Sequence, residues 1–335
     1  MKHWKETADV LSRVVRLAEA GRRAAVATVV RIEGSAYRRP GAKFLVEEDG
    51  RTAGSISGGC LEGDVREVAL EVMRSGAPRL LLYETGGDDS SVFGLGLGCS
   101  GSVEIFVQSA TSEETLEAAR EVLDRLSGDR AFSVATVIRG NGAGRVSVLE
   151  PGGEGKAGRR EPAEVFVETL QPPPHLLVFG AGDDAIPLCA YAADAGFRVT
   201  LVDHRPATLS RERFPAAFGL AARRLEETVA GLPAGPRGFA VVKTHSFAHD
   251  REWVRQLLSA GVPYVGLLGP RARGAKILAE IGAAAGERIF SPVGLDLGAE
   301  GPEQVALSIV AELLAVHSSR QPWSLREKEG AIHAG

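Results

Sequence analysis

Two of the three cysteines in this 335-residue sequence lie in glycine-rich segments, where a side chain has little to pack against. Cys60 follows Gly58 and Gly59 in SISGGCLEGDV, and Cys99 lies within GLGLGCSG. Glycine permits backbone angles that other residues avoid and lets a ligand come close to the chain. Thiolates held in such loops suit a soft metal or a sulfur-rich ligand. The spacing therefore marks Cys60 and Cys99 as candidate ligands of a metal.

The cysteines also admit other interpretations. Zinc is disfavoured, because neither a CxxC pair nor a local pair of histidines is present. A helix that begins at Leu61 would favour the Cys60 thiolate through its N-terminus. Cys99 and Cys60 could also form a switchable thiol pair in a redox sensor. Cys189 lies in the middle of a predicted helix, where a cysteine is usually a small buried hydrophobe.

A basic loop, YRRPGAK, brings Arg38, Arg39 and Lys43 within six positions. Guanidinium groups bind phosphate or pyrophosphate with paired hydrogen bonds, so one interpretation is an anion clamp. A solvated run of surface charge is an equally good interpretation of the same residues.

The segment LLVFGAGDDA carries the pattern of a dinucleotide-binding turn. Gly180, Gly182 and Ala185 form G-x-G-x-x-A directly after an apolar strand, and Asp203 ends the next strand. The glycines would let a pyrophosphate reach a helix N-terminus, and Asp203 would accept from a ribose diol. Asp183 and Asp184 disfavour an anion there, unless they turn away or cap the helix.

The segment KTHSFAHD ends a further strand of the same half of the chain. Ligands bind at the carboxyl ends of strands in such sheets. His245 and His249 are therefore candidate ligands or bases, with helix caps as the alternative. A second strand-end loop, GLLGPRARGAK, is rich in glycine and arginine.

The order of predicted elements indicates two domains, with a boundary at the triple proline of LQPPPHLLVFG. Residues 1–171 show strands, glycine loops and helices typical of an α+β domain, with a helix from Glu62 to Ser75. Two VATV segments, each followed by a glycine loop and a strand, predict similar hairpins in one sheet or unrelated hairpins of like composition. Residues 172–335 alternate strand and helix, which predicts a doubly wound parallel sheet of the Rossmann type.

Composition narrows the class of protein. The formal net charge is −4, which argues against general binding to nucleic acid or anionic membranes. No apolar run approaches the roughly 18 residues that span a bilayer, and charged residues interrupt the first predicted helix, so it is not a signal peptide. Three cysteines are too few for a disulfide framework, and we expect a cytoplasmic protein.

Taken together, the segments resemble the XdhC/CoxI family, accessory proteins of xanthine dehydrogenase and related molybdenum hydroxylases. The resemblance covers almost the whole chain through GSAYRRPGAK, GSISGGCLEGDV, GLGLGCSG, VFGAGDDAIPL, VTLVDHRP, VVKTHSFAHD, YVGLLGPRARGAK and SPVGLDLGAEGPEQVALSIVAE. It implies an N-terminal domain with Cys60 and Cys99 in its two cysteine loops, and a C-terminal Rossmann domain with Gly180 and Gly182 in its turn.

The resemblance implies a chaperone rather than a catalyst. Such proteins bind molybdenum cofactor, as molybdopterin or its cytosine dinucleotide form, protect it while a sulfido ligand is installed, and pass it to the apo-enzyme. The implied partners are a molybdenum hydroxylase client and a cysteine desulfurase. Two departures stand out: Asp183 replaces a frequent histidine, which puts a metal or phosphate role of the turn in question, and Ser100 replaces a glycine.

The first hypothesis is therefore a cofactor carrier in which Cys60 and Cys99 approach the metal. Arg38, Arg39 or a helix N-terminus would hold the phosphate of the cofactor. The alternative is an NAD(P)-dependent oxidoreductase acting through the Rossmann domain, in which Asp203 would disfavour the 2′-phosphate of NADP. We also expect a homodimer, with the helix of VALSIVAELLAV as a contact or as part of the core.

Overall fold

The computed structural model describes residues 2–34, 37–84, 101–151, 163–227, 229–233, 237–282 and 286–327. Within these ranges the chain divides into two compact units, residues 2–172 and residues 173–327.

Two antiparallel sheets and three helices make up the described part of the first unit. A five-stranded sheet has the order β3-β2-β1-β5-β4, and a three-stranded sheet has the order β7-β6-β8. The elements are α1 (Lys2–Glu19), β1 (Ala24–Gly34), β2 (Lys43–Glu47), β3 (Thr52–Gly54), α2 (Glu62–Ser75), β4 (Arg79–Glu84), β5 (Gly101–Ser109), α3 (Glu113–Ser127), β6 (Phe132–Arg139), β7 (Val146–Leu149) and β8 (Glu164–Leu170).

Alternation along β1 builds the core on both faces of the larger sheet, because successive strand residues point to opposite faces. Ala27 and Val29 pack in the cluster that includes Val65 of α2. Val26 instead packs with residues of α1, Val14 among them. Helix α2 has the bounds predicted from its apolar spacing.

The prediction that the two VATV hairpins share one sheet is wrong. The β1–β2 hairpin belongs to the five-stranded sheet, and the β6–β7 hairpin belongs to the three-stranded sheet. The strand on the other edge of each hairpin differs: β1 pairs with β5, and β6 pairs with β8. A hairpin pattern specifies the partner that is adjacent in sequence and carries no information about the other edge.

The second unit is the predicted α/β domain with a parallel sheet, and this prediction is confirmed. Its sheet has the order β11-β10-β9-β12-β13-β14, and each pairing is parallel. The elements are β9 (His175–Phe179), α4 (Ala185–Asp194), β10 (Arg198–Asp203), β11 (Gly219–Ala222), β12 (Phe239–Val242), α5 (Phe247–Ser259), β13 (Tyr264–Leu267), α6 (Arg271–Glu280), β14 (Ile289–Phe290) and α7 (Gly301–His317).

Helices cover both faces of this sheet, as its doubly wound topology requires. Residues of α4 and α7 pack on one face with Leu176 and Val178 of β9. Residues of α5 and α6 pack on the other face with Leu177 and Phe179 of the same strand. Because strand order reverses between β9 and β12, their carboxyl ends form the crevice where such folds bind ligands.

None of the helices in the described ranges combines the length and apolar composition that crossing a lipid bilayer requires.

Candidate functional site

The Gly-Gly-Cys loop connects β3 to α2 and is organised by Glu62, the first residue of α2. Its carboxylate accepts hydrogen bonds from the Ser55 hydroxyl at 3.0 Å and from the backbone N–H groups of Ile56, Ser57 and Gly59 at 3.1, 3.0 and 3.0 Å. Burial raises the pKa of Glu62, but the hydrogen bonds outweigh burial and lower the pKa to about 2. A single charged acceptor therefore fixes the loop.

The Cys60 side chain is exposed at the end of this loop. Gly59 has a φ of 116°, and a Cβ added there would meet no atom within 4 Å. A Cβ at Gly58 would make ordinary contact with the ring of Tyr37 at 3.6 Å. The backbone before the thiol therefore has open space beside it, which suits the close approach of a bulky ligand.

A second acidic residue fixes α2 to the sheet. The hydroxyl of Tyr83, on β4, donates to the carboxylate of Asp64. Burial, together with this carboxylate, raises the pKa of Tyr83 above its ordinary value. The two carboxylates that follow Cys60 in sequence thus hold the loop and its helix in place.

Cys99 lies outside the described residues, within the segment 85–100. This segment joins β4 to β5, and those strands pair with Glu84 opposite Ser102. Among the described residues, no group of three or more His, Cys, Asp or Glu side chains is arranged to hold a metal ion.

The basic residues of the predicted anion clamp meet carboxylates of their own unit. Arg38 pairs with Glu6 at 2.5 Å, and both side chains are largely buried. The Nζ of Lys43 donates to Glu168 at 2.5 Å and to the Gly41 carbonyl at 3.1 Å. Arg39 is exposed. A phosphate bound to this loop would therefore compete with Glu6 for Arg38 and with Glu168 for Lys43.

Both glycines of the Rossmann turn have close neighbours within the chain. Gly180 has a φ of 109°, and a Cβ there would lie 2.6 Å from the carbonyl oxygen of Lys243. A Cβ on Gly182 would lie 2.8 Å from Oδ1 of Asp184. The first glycine is thus required where β9 and β12 end side by side, and the second leaves room that the Asp184 carboxylate uses.

Asp203 ends β10, the position predicted for a ribose ligand, and its side chain is buried. Oδ2 accepts from the Ala181 N–H at 2.7 Å and from Nη2 of Arg205 at 3.0 Å. Oδ1 accepts from the Arg205 N–H at 2.9 Å and from its Nε at 3.0 Å. Burial raises the pKa of Asp203, but these bonds outweigh it and lower the pKa to about 2.

Asp184 joins the ends of β9 and β12 through an ionic cluster. Its Oδ1 accepts from Nζ of Lys243 at 2.6 Å, and its Oδ2 lies 2.9 Å from Nε2 of His245. The Lys243 side chain is 2% exposed, whereas that of His245 is 64% exposed. Burial raises the pKa of Asp184, and the two partners lower it to below its ordinary value.

The backbone of His245 and the side chain of Asp183 differ from what the neighbouring residues show. His245 has a φ of 61°, in the left-handed region that few residues other than glycine adopt. Asp183 points elsewhere: its side chain is 94% exposed and pairs with Arg213 at 2.7 Å. Neither Asp183 nor Asp184 makes a side-chain cap of α4, so the capping alternative for Asp184, the N-cap residue, is wrong.

Asp250 and His249 of KTHSFAHD contact other residues of the second unit. The buried carboxylate of Asp250 accepts from the N–H of Thr244 at 3.0 Å and from Arg273 at 2.6 Å. The ring of His249 packs against that of His204, with centroids 4.8 Å apart.

A cavity of about 260 Å³ lies beside the ionic cluster, lined by Asp184, Leu188, Lys243, Leu268, Gly301, Pro302, Val305, Ala306 and Ile309.

The sequence located the candidate site residues but not the side chains that contact them in the folded protein. Lys243 is a charged residue that directly follows the apolar strand FAVV, and Arg205 follows Asp203 by two residues. Both placements indicate a cation near a carboxylate at the strand ends. The organising role of Glu62 had a weaker signal, an acidic residue in the first turn of a predicted helix.

Both units of the chain match known protein families. Residues 17–84 match the model of the XdhC and CoxI family, and residues 176–313 match the XdhC Rossmann domain. The chain is 33% identical over 309 residues to a probable xanthine dehydrogenase subunit from Bacillus subtilis, covering 87% of this chain and 92% of the relative. The chain belongs to the XdhC and CoxI family.

Two further relatives extend the comparison. The molybdenum cofactor insertion chaperone PaoD from Escherichia coli is 27% identical over 312 residues, covering 92% of this XdhC/CoxI chain and 87% of PaoD. A crystal structure of a xanthine dehydrogenase from Bacillus halodurans superposes with a TM-score of 0.78 at 28% identity, covering 93% of this chain and 96% of that one. The XdhC/CoxI match at residues 17–84 includes the Gly-Gly-Cys loop.

Proposed function

We propose that this protein binds molybdenum cofactor as cargo, with Cys60 as a ligand of the metal, and passes it to a molybdenum hydroxylase of the xanthine dehydrogenase type. The observation that carries the proposal is the exposed Cys60 in a braced Gly-Gly loop within the matched family region. The name of PaoD, a molybdenum cofactor insertion chaperone, supports the same role.

The chemistry of a carrier fits an open thiol site. Molybdenum cofactor is a pterin that holds molybdenum through an enedithiolate, and thiolate is a suitable soft ligand. A closed cage of four protein ligands would hold a metal permanently, as structural zinc sites do. A carrier must release its cargo, which favours one or two thiols at the surface. In this proposal Cys99 is the second thiol, Gly58 and Gly59 leave room for the cargo, and Arg39 and Arg38 bind its phosphate, Arg38 after releasing Glu6.

Retention of the cargo tests the proposal. Protein purified without oxygen from a host that makes the cofactor should contain molybdenum and pterin, and Cys60→Ala should lose most of both. Cys189→Ala is the matched control, because that thiol is buried in the other unit. Unchanged molybdenum content in the double variant Cys60→Ala, Cys99→Ala would contradict the proposal.

Transfer provides a second test. Loaded protein should restore activity to a molybdenum-free hydroxylase, and the isolated protein should produce no NADH from purines or aldehydes. NADH production that survives Cys60→Ala and is lost in Asp203→Ala would favour the oxidoreductase alternative. No contact at the Rossmann turn supports that alternative, since the carboxylate assigned to the ribose already has four hydrogen bonds.

Two partners complete the proposal. A cysteine desulfurase would supply the sulfido ligand while the cofactor is bound. A second copy of the chain would help to shield the labile cargo, since homodimers are the commonest assemblies of soluble proteins.

A further inference from the structure

Many Rossmann folds bind a dinucleotide, and three features of the fold receive it. A carboxylate at the end of the second strand accepts from the ribose, a glycine turn admits the pyrophosphate, and the helix N-terminus attracts its charge.

The carboxylate of Asp203 has no capacity left for a ribose. A carboxylate offers about four lone-pair sites, and Asp203 accepts four hydrogen bonds, one from Ala181 and three from Arg205. One of the donors is the backbone of the glycine turn itself, so release of Asp203 would also loosen the turn.

The room above Gly182 is also taken. Oδ1 of Asp184 lies 2.8 Å from the position that a Cβ on Gly182 would have. The second glycine of this motif lets a pyrophosphate approach the backbone. Here a carboxylate of the chain lies at that place, held by the buried Lys243 and by His245.

We propose that Asp184 acts as an internal anion at the Rossmann turn, in the place that a phosphate takes in dinucleotide-binding proteins. The folded chain then holds no dinucleotide there, and removal of the Asp184 charge uncovers an anion site on Lys243 and His245. A phosphate brought to the wild-type turn would meet the Asp184 charge at close range and in a partly buried setting, where repulsion is strong. Without that charge, the buried Lys243 ammonium loses its hydrogen-bonded carboxylate and keeps only the through-space attraction of Asp250 and Asp203, so an external anion can take the vacated place.

Titration calorimetry on the full chain tests the inference, with inorganic phosphate, ADP and NAD as probes. Wild-type protein should bind all three more weakly than about 1 mM. Asp184→Ala should bind phosphate and ADP at least tenfold more tightly than wild type, and Asp184→Asn should fall between the two. Asp183→Ala is the matched control: it removes the same charge from the neighbouring, exposed residue and should bind like wild type.

Thermal unfolding gives a second measurement, which can also be made on a variant of reduced stability. Added phosphate should raise the melting temperature of Asp184→Ala more than those of wild type and Asp183→Ala, because an anion that binds only the folded state stabilises it. Micromolar binding of NAD by wild-type protein would overturn the inference. So would an Asp184→Ala protein that folds but gains no affinity, or one that stays unfolded in phosphate. None of these outcomes depends on cofactor retention by Cys60.

Discussion

The Glu62 carboxylate holds residues 55–59 although Glu62 itself belongs to the next helix. Its acceptors satisfy backbone N–H groups on both sides of Gly58, in a segment where glycine would otherwise allow many conformations. Hydrogen bonds to an ionised acceptor are stronger than neutral ones. The placement of the loop that carries Cys60 therefore depends on a side chain outside the residues proposed to bind the cofactor.

We predict that Glu62→Gln lowers the free energy of unfolding by about 1–3 kcal/mol. The amide keeps one oxygen but turns an NH₂ group toward donors such as the Ser57 N–H. Urea unfolding of the full chain measures the change. Glu67→Gln is the control, because Glu67 is exposed on the same helix and should change stability by less than about 0.5 kcal/mol. Equal effects of the two substitutions would contradict the bracing role.

Acid should weaken the fold through Glu62 and Asp203. The folded-state pKa of each is about 2, below the ordinary values of 4.5 for Glu62 and 3.8 for Asp203. A lowered pKa adds stability above the unfolded-state value, and that stability is lost as pH falls through the folded-state value. We predict that the free energy of unfolding decreases from pH 4.5 to about 2, and that Glu62→Gln reduces this slope. Equal slopes for the two proteins would contradict the prediction.

At the scale of elements, residues of α1, α3 and both sheets of the first unit line a cavity of about 70 Å³. Three buried polar atoms on its wall have no hydrogen-bond partner within the described residues: Oγ1 of Thr7, Oε1 of Gln108 and Oε2 of Glu168. An unsatisfied buried polar group costs about 1–3 kcal/mol. Thr7, on α1, is therefore a position where an apolar side chain of the same shape should pack better than the native one.

We predict that Thr7→Val raises the free energy of unfolding by about 1 kcal/mol. Valine keeps the shape of threonine and removes a hydroxyl that has no partner in the described structure. Thr115→Val on α3 is the control, since the Thr115 hydroxyl donates to the Ser112 carbonyl at 3.0 Å and its loss should be destabilising. Destabilisation by Thr7→Val would mean that ordered water satisfies the hydroxyl.

The sequence predicted elements better than their partners. Apolar spacing gave the bounds of α2, and alternation of strand and helix gave the parallel sheet of the second unit. Both signals are local periodicities. Of the two interpretations of the VATV hairpins, the one that places them in a single sheet is wrong, because strand pairing beyond a hairpin depends on residues far along the chain.

In the candidate site, too, local sequence patterns predict the loops but not the contacts between distant residues. The GGC and GxG patterns located the loop of Cys60 and the turn of Gly180, since glycine patterns report backbone geometry. They could not show that Lys243 binds Asp184, because 59 positions separate these residues. Nor does an aspartate at the end of a strand reveal whether its oxygens face a ligand or the chain's own Arg205.

At the scale of the molecule, helix α7 is apolar on more than one side. Ile309 and Val310 pack into the core of the second unit. On another side, Leu307 and Leu314 are 55% and 38% exposed, and their spacing of seven residues places them on one face. A helix that is apolar all round is normally buried, so this face favours a contact with a second copy of the chain.

We predict a homodimer that uses this face of α7. Light scattering at micromolar concentration should give about twice the chain mass of 35.3 kDa. The double variant Leu307→Glu, Leu314→Glu should dissociate to a monomer, because burying each leucine contributes about 1.5–3 kcal/mol and glutamate reverses the gain. Leu82→Glu on β4 is the control: Leu82 is 57% exposed, like Leu307, but belongs to the other unit. A monomeric wild-type protein would remove the prediction, and a dimer lost only in Leu82→Glu would move the contact to β4.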